Sequence, residues 1–184
     1  MIKNHLADTY INFLKSSLLN LTYVDSEAKL LFTFFAMLNK SELKFDQFFG
    51  PSQDMSNILD ALQRVKQSGD TMSMQVRSPQ GDLKPVSGLR NITELSHTMI
   101  GEKRLNNIRF AMETLLDEGI GGDFVETEIW RGGACIFMRG ILKAYDVQDR
   151  TAWAADSFEG VPAQSIAQDA NFDISKSVLP VLAV

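Results

Sequence analysis

Apolar residues fall at Tyr10, Phe13, Leu14, Leu18 and Leu21. Those intervals of three and four place them on one face of a helix running from Thr9 to about Thr22. A second helical pattern opens near Ser26, whose hydroxyl suits an N-cap, and runs to about Leu38. Its stretch "LLFTFFAML" (30–38) is apolar on every side, which predicts burial; it is too short to cross a membrane. "FDQFFGPSQD" (45–54) carries a Gly-Pro-Ser loop signal. From Met55 to Gln67, Ile58, Leu59, Leu62 and Val65 come back into helical phase. Residues 68–92 are punctuated by glycine, proline and serine and read as a linker or exposed loop, with "MSMQV" as the one short strand.

The pattern then changes class. Leu105, Ile108, Met112, Leu115 and Leu116 mark a helix that Gly119, Gly121 and Gly122 end. A buried strand is expected over Phe124–Ile129, a helix over Gly133–Tyr145, and a second strand in "TAWAADSF" (151–158), closing on an acid. Helix, strand, helix, strand in this order builds an α/β fold around a parallel sheet. Two strands do not make a buried sheet, and the sequence finishes on the apolar "SVLPVLAV". The expectation is therefore the front portion of a larger α/β protein. Residues 1–92 would be a helical N-terminal region with a linker. Residues 93–184 would be the truncated start of a ligand-binding α/β domain. A complete, mostly helical domain with a small sheet is the alternative.

Charge and cysteine content narrow the class. The chain carries a net charge of -5 and a sequence pI near 5.0, with no basic stripe, which argues against a nucleic-acid partner. The single cysteine, Cys135, makes no internal disulfide and no cysteine metal site; its apolar neighbours predict a packed thiol. The N-terminal stretch is broken by Asp8, Asn12 and Lys15 and is no signal peptide. A soluble, cytoplasmic protein with no membrane partner is expected.

In a doubly wound sheet, ligands bind beyond the carboxyl ends of the strands, beside a glycine-rich first turn. Here that turn is "ETEIWRGGA" (126–134), and the second strand ends at Asp156, an acid able to accept both hydroxyls of a ribose. By itself the pattern points weakly to a nucleoside-type ligand. Residues 97–162 add more: they resemble the macrocin and mycinamicin O-methyltransferase family, with "WRGGACIFMRG" and "ADSFEG" the specific stretches. "TYINFLKSSLLNLTYVDS" (9–26) is similar to the family's N-terminal helix, and residues 27–92 match nothing in it that we can place.

The resemblance implies a class I, Rossmann-like methyltransferase fold that binds S-adenosylmethionine, works with Mg2+, and methylates a sugar hydroxyl of a macrolide-like glycosylated metabolite. Carried over residue by residue, Thr98, Met99 and Ile100 would cover the cofactor. Glu126, Thr127 and Trp130 would line its methionine side, together with the position held by Glu128. Asp156 would hold the ribose, with Ser157 beside it. Simpler readings stand next to these: Trp130 as helix-to-sheet packing, Met99 as core filler, Arg131 and Arg139 as surface or ion-pair residues, His97 as a loop histidine.

Two departures matter. The family pattern has E-T-G where this chain has Glu126-Thr127-Glu128. A glutamate there would bring bulk and negative charge toward the cofactor's carboxylate, so Glu128→Gly should tighten binding at a small backbone-entropy cost to stability. The family's metal-binding D-G-D and D-D-Y stretches are absent from this sequence, and Asp169 and Asp173 lack an evident third ligand. A non-catalytic remnant or interaction module, or a metabolite-binding protein, is therefore the competing reading. Self-association through the N-terminal helices is expected from the open sheet and the apolar end.

Overall fold

The structure is a computed structural model that describes residues 5–38, 40, 42–44, 46, 53–68, 75–77, 80–85 and 95–159. Helix α1 spans His5–Leu18 and begins four residues before the expected start. Its buried face is also rotated from the expected one: Ala7, Ile11 and Leu18 are buried, while Tyr10 and Phe13 are exposed. Ile11 and Leu18 face the buried side chains of the later helices, while Leu14 lies over Gly140, where a Cβ would strike it and lie 3.8 Å from the Tyr10 ring.

Helix α2 spans Val24–Leu38 and α3 spans Gln53–Ser68. Ser26 lies inside α2 rather than capping it, its N–H donating to the Tyr23 carbonyl. The apolar run 30–38 is split by amphipathicity: Leu31, Phe32 and Ala36 are buried, whereas Leu30, Phe34 and Met37 are exposed. Ala28, Leu31 and Leu62 form a small core between α2 and α3. Strands β1 (Gln75–Arg77) and β2 (Leu83–Pro85) pair antiparallel, Gln75 opposite Pro85 and Arg77 opposite Leu83. The second strand escaped the sequence reading because it is three residues long and ends on a proline, which cannot donate to a ladder. Of the loop expected at 45–54, Asp46 is helical and Gln53 and Asp54 belong to α3; residues 45 and 47–52, like the expected boundary at 92/93, lie outside the described residues.

Helix α4 spans Gly101–Asp117 and ends as the glycine run predicts. Gly119 takes φ +66; its N–H reaches the Leu116 carbonyl, and that of Ile120 reaches the Leu115 carbonyl. This paired closure satisfies carbonyls that the helix end leaves open. Strand β3 (Phe124–Thr127), helix α5 (Gly133–Ala144) and strand β4 (Ala152–Ala155) complete the described elements. The strands run parallel, Phe124 opposite Ala152 and Thr127 opposite Ala155. Asp123 holds β4 in register at the amino end: Thr151 N–H donates to Oδ1 at 2.9 Å, and the Trp153 indole donates to Oδ2 at 2.7 Å.

The main core joins Ile11, Leu18 and Leu19 to Leu105 and Met112 of α4 and to Phe137, Met138, Ile141 and Leu142 of α5. Phe124 and Ala152 pack against it from the sheet. The strand expected to be buried is covered on that face alone. Val125 and its register partner Trp153 are 62% and 56% exposed on the other. Arg109 ties α4 to both partners of this core, donating to Asp8 and Glu113, with Tyr145 also donating to Glu113.

Candidate functional site

Strands β3 and β4 stop level with each other, and the chain leaves both on the same side of the sheet. From β3 it passes through Glu128 at φ +61 and Gly132 at φ +75 before entering α5. Gly132 is the N-cap and has no side chain to offer the open amides of the helix. Glu126 supplies one instead: its Oε2 accepts the backbone N–H of Cys135 at 2.9 Å. A carboxylate at a helix N-terminus satisfies an orphan donor and complements the helix dipole. That gives Glu126 a capping task which an acid nine residues ahead of the amide does not announce in sequence.

Cys135 is a packed thiol, as its neighbours predict. Its Sγ lies 3.6 Å from the Trp153 carbonyl oxygen. Burial, reinforced by the Glu126 carboxylate, pushes its pKa up to about 12. It stays protonated at neutral pH and is no nucleophile.

Asp156 follows β4 directly. Its Oδ1 accepts the Phe158 N–H at 3.1 Å and lies 3.4 Å from the Ser157 hydroxyl. The Phe158 amide, followed by the backbone of Ile129 and Ser157, holds the carboxyl below the usual aspartate range, against a smaller opposing effect of desolvation. Ile129 belongs to the turn after β3, so Asp156 links the ends of both strands. Ser157 is exposed, and its Oγ accepts the Glu159 N–H at 3.3 Å.

The loop before α4 closes on the same place. A Cβ built at Gly133 would fall 2.6 Å from Thr98 Cβ and closer still to the His97 carbonyl oxygen, so the loop rests on the first residue of α5. Thr98 is buried, and its hydroxyl accepts the Ile100 N–H at 3.3 Å. Ile100 is half-buried at the N-cap of α4. Met99 is 43% exposed and so is not core filler. His97 is exposed, its N–H donating to the Leu18 carbonyl at 2.8 Å, as suits a loop histidine. Arg131 donates to the Ser96 carbonyl at 3.0 Å and places its guanidinium 4.2 Å from the centre of the half-buried Trp130 ring. Loop 96–100, turn 128–132 and Asp156 thus converge around the start of α5. Arg139 is exposed on the same helix.

The sequence profile of the macrocin-O-methyltransferase (TylF) family matches residues 7–184. The chain belongs to this family. The mycinamicin III 3''-O-methyltransferase of Micromonospora griseorubida is 65% identical over 68 residues, which are 37% of this chain and 27% of that protein. The demethyldecarbamoylnovobiocin O-methyltransferase of Streptomyces niveus is 63% identical over 67 residues, 36% of this chain and 26% of that protein. A tetracenomycin-type 4'-O-methyltransferase of Streptomyces olivaceus is 51% identical over 73 residues, 40% of this chain and 28% of that protein. The stretch shared with each of these relatives is thus little more than a quarter of its length. The structure of the O-methyltransferase NovP superposes with a TM-score of 0.58 at 30% identity, covering 97% of this chain and 54% of that one. The fold is that of a class I methyltransferase of the macrocin-O-methyltransferase family, present here in part.

Family membership sharpens the question of Glu128. Its φ of +61 lies in the left-handed region that favours glycine, the residue that the resemblance implies at this position. The side chain is exposed, which weakens the expected repulsion of a cofactor carboxylate. The left-handed conformation costs a non-glycine residue about 1–2 kcal/mol, against about 0.5–1 kcal/mol of extra backbone entropy that glycine loses on folding. Glu128→Gly is therefore expected to raise stability by about 0.5–1 kcal/mol in urea denaturation, reversing the small loss expected from sequence. A fall in stability would show that the glutamate makes contacts which outweigh its strain.

No group of three or more His, Cys, Asp or Glu side chains among the described residues is placed to hold a metal ion. Asp169 and Asp173 lie outside the described residues.

Proposed function

We propose that this chain carries the S-adenosylmethionine side of an O-methyltransferase acting on a sugar hydroxyl of a glycosylated, macrolide-like natural product. The observation that carries the reading is the ionised Asp156, set directly beyond β4 and linked to the turn after β3. The residues fit an adenosyl cofactor by the chemistry of their donors and acceptors. The Phe158 amide and the Ser157 hydroxyl both meet Asp156 at Oδ1, so Oδ2 is the oxygen that would accept from the ribose. Trp130, Thr127 and Glu128 border the methionine side. Glu126 acts there through the helix start that it caps. Met99, exposed on a loop seated against Gly133, covers the cofactor with Thr98 and Ile100 on either side of it.

When bound, S-adenosylmethionine supplies a sulfonium methyl group for in-line transfer to a hydroxyl. The described residues bind and orient. They do not fit Mg2+: they offer no group of three or more His, Cys, Asp or Glu side chains to hold it. The Glu128 departure favours one second reading, a protein that binds the cofactor or a related metabolite without transferring a methyl group.

S-adenosylhomocysteine tests the proposal. A one-site ligand at 100 times its Kd stabilises the folded state by about 2.7 kcal/mol, so a clear rise in melting temperature and a calorimetric Kd are expected. No shift at millimolar ligand would overturn the reading. Binding without methyl transfer to any glycosylated acceptor would favour the second.

Two further properties belong to the proposal. A lone cysteine, with no disulfide partner in the sequence, is in keeping with a reducing, cytoplasmic setting, and no helix among the described residues is long and apolar enough to cross a membrane. A homo-oligomer is supported by apolar stripes at helical spacing that face solvent: Leu6, Tyr10 and Phe13 on α1, and Leu30, Phe34 and Met37 on α2. Light scattering at tens of micromolar should report more than a monomer mass; a monodisperse monomer would refute it.

A further inference from the structure

Lys66, Glu27 and Ser96 are each 1% exposed, on α3, α2 and the loop before α4. The Lys66 ammonium donates to Leu19 O at 2.8 Å and to Ser96 Oγ at 2.8 Å, and pairs with Glu27 Oε2 at 2.6 Å. Its three donors are all used. Ser96 in turn donates to Leu19 O at 3.0 Å, so its hydroxyl both gives and receives. Asn20 adds a bond to Glu27 Oε2 at 2.9 Å.

Stability alone does not explain the arrangement. Taking an ammonium and a carboxylate out of water costs several kcal/mol each, and apolar residues of similar volume often do as well or better. Glu27 Oε1 also has no hydrogen-bond partner among the described residues, a further cost to a buried group. What the cluster does is fix one residue of one loop from several directions. Ser96 is held through its hydroxyl by Lys66 and through its carbonyl by Arg131 of the turn after β3. The next residue, His97, is held by Leu18 O, and the next, Thr98, lies against Gly133.

We infer that Lys66 is a positioning residue for the cofactor loop: through Ser96 it sets residues 97–100 against the start of α5, making the α2–α3 layer part of the binding apparatus. This rests on the cofactor reading above. It also gives a task to Glu27 of α2 and Lys66 of α3, in a stretch that the family profile covers but where the resemblance placed no residue. Loosening Lys66 frees the loop that carries Met99 while leaving the β3–α5–β4 unit intact.

The test begins with the double variant Glu27→Met/Lys66→Met, which removes both charges and strands neither. Amide hydrogen exchange, read without ligand, should quicken by about tenfold or more at residues 96–101 and 130–134, with the slow amides of α4 and α5 unchanged. S-adenosylhomocysteine affinity should fall by about tenfold or more at a preserved melting temperature. Ser96→Ala, which keeps the ion pair and cuts its link to the loop, should show the same local loosening. It also decides the matter if the double variant does not fold. Unchanged exchange at 96–101 in Ser96→Ala, or exchange that rises evenly across the molecule in the double variant, would overturn the inference. If the parent binds no S-adenosylhomocysteine, the cofactor reading fails while the exchange arm still reports on the loop.

Discussion

Alanine at Gly133 is expected to lower stability by about 3 kcal/mol or more, the upper part of the range for overpacking a close-fitted contact. The backbone at Gly133 is ordinary helix, so the requirement is for space. The atoms in the way are the His97 carbonyl and Thr98 Cβ. Neither can swing aside, because His97 N–H is bonded to Leu18 O and Arg131 grips the Ser96 carbonyl. Relief requires the loop to lift off α5, which would also displace Met99. Gly140→Ala makes the control: the group in its way is the tip of the Leu14 side chain, which can change rotamer at less cost. Urea denaturation of both variants checks the order. Gly133→Ala within about 0.5 kcal/mol of the parent, the range usual for surface changes, would show that the loop is not seated as described.

Asp156→Ala is expected to weaken S-adenosylhomocysteine binding by roughly 10- to 100-fold, the loss expected when two charge-assisted hydrogen bonds disappear. The melting temperature without ligand should move little, since the carboxylate is solvated and the turn it closes is local. Asp156→Asn sharpens the reading. It keeps an oxygen for the Phe158 amide but loses the charge and one acceptor, so its affinity should lie between the two. Calorimetry at fixed salt measures all three, and equal Kd values in parent and Asp156→Ala would remove this residue from the site.

Much of the frame is legible from local pattern. Periodicities of three and four placed α1, α3 and α4, the glycine at 119 ended α4, and the strand–helix–strand order gave a parallel pair with an acid beyond its second strand. What escaped was set by partners distant in sequence. Tyr10 and Phe13 repeat at helical spacing as well as Ala7 and Ile11 do; the core that Ile11 joins comes from α4 and α5, about a hundred residues away in sequence. Lys66 reads as a solvated residue near the end of an amphipathic helix, because nothing nearby shows that Glu27, Ser96 and the Leu19 carbonyl meet it. The left-handed backbone at Glu128 was hidden for the opposite reason. Its residue type argues against that conformation, and the family's glycine was the clue that the geometry, rather than clearance alone, is demanding.

The seating of α1 on Gly140 also has a consequence for synthesis on the ribosome. The contact joins opposite ends of the described chain, so the loop to be closed is nearly as long as it can be. While the chain emerges, α2 and α3 already have one another, through Ala28, Leu31 and Leu62. Helix α1 has no partner for Ile11 and Leu18 until α4 and α5 have cleared the exit tunnel. Helix α1, translated before its partners, is thus among the last of the described helices to be buried, and its apolar side is a surface that a nascent-chain chaperone would meet.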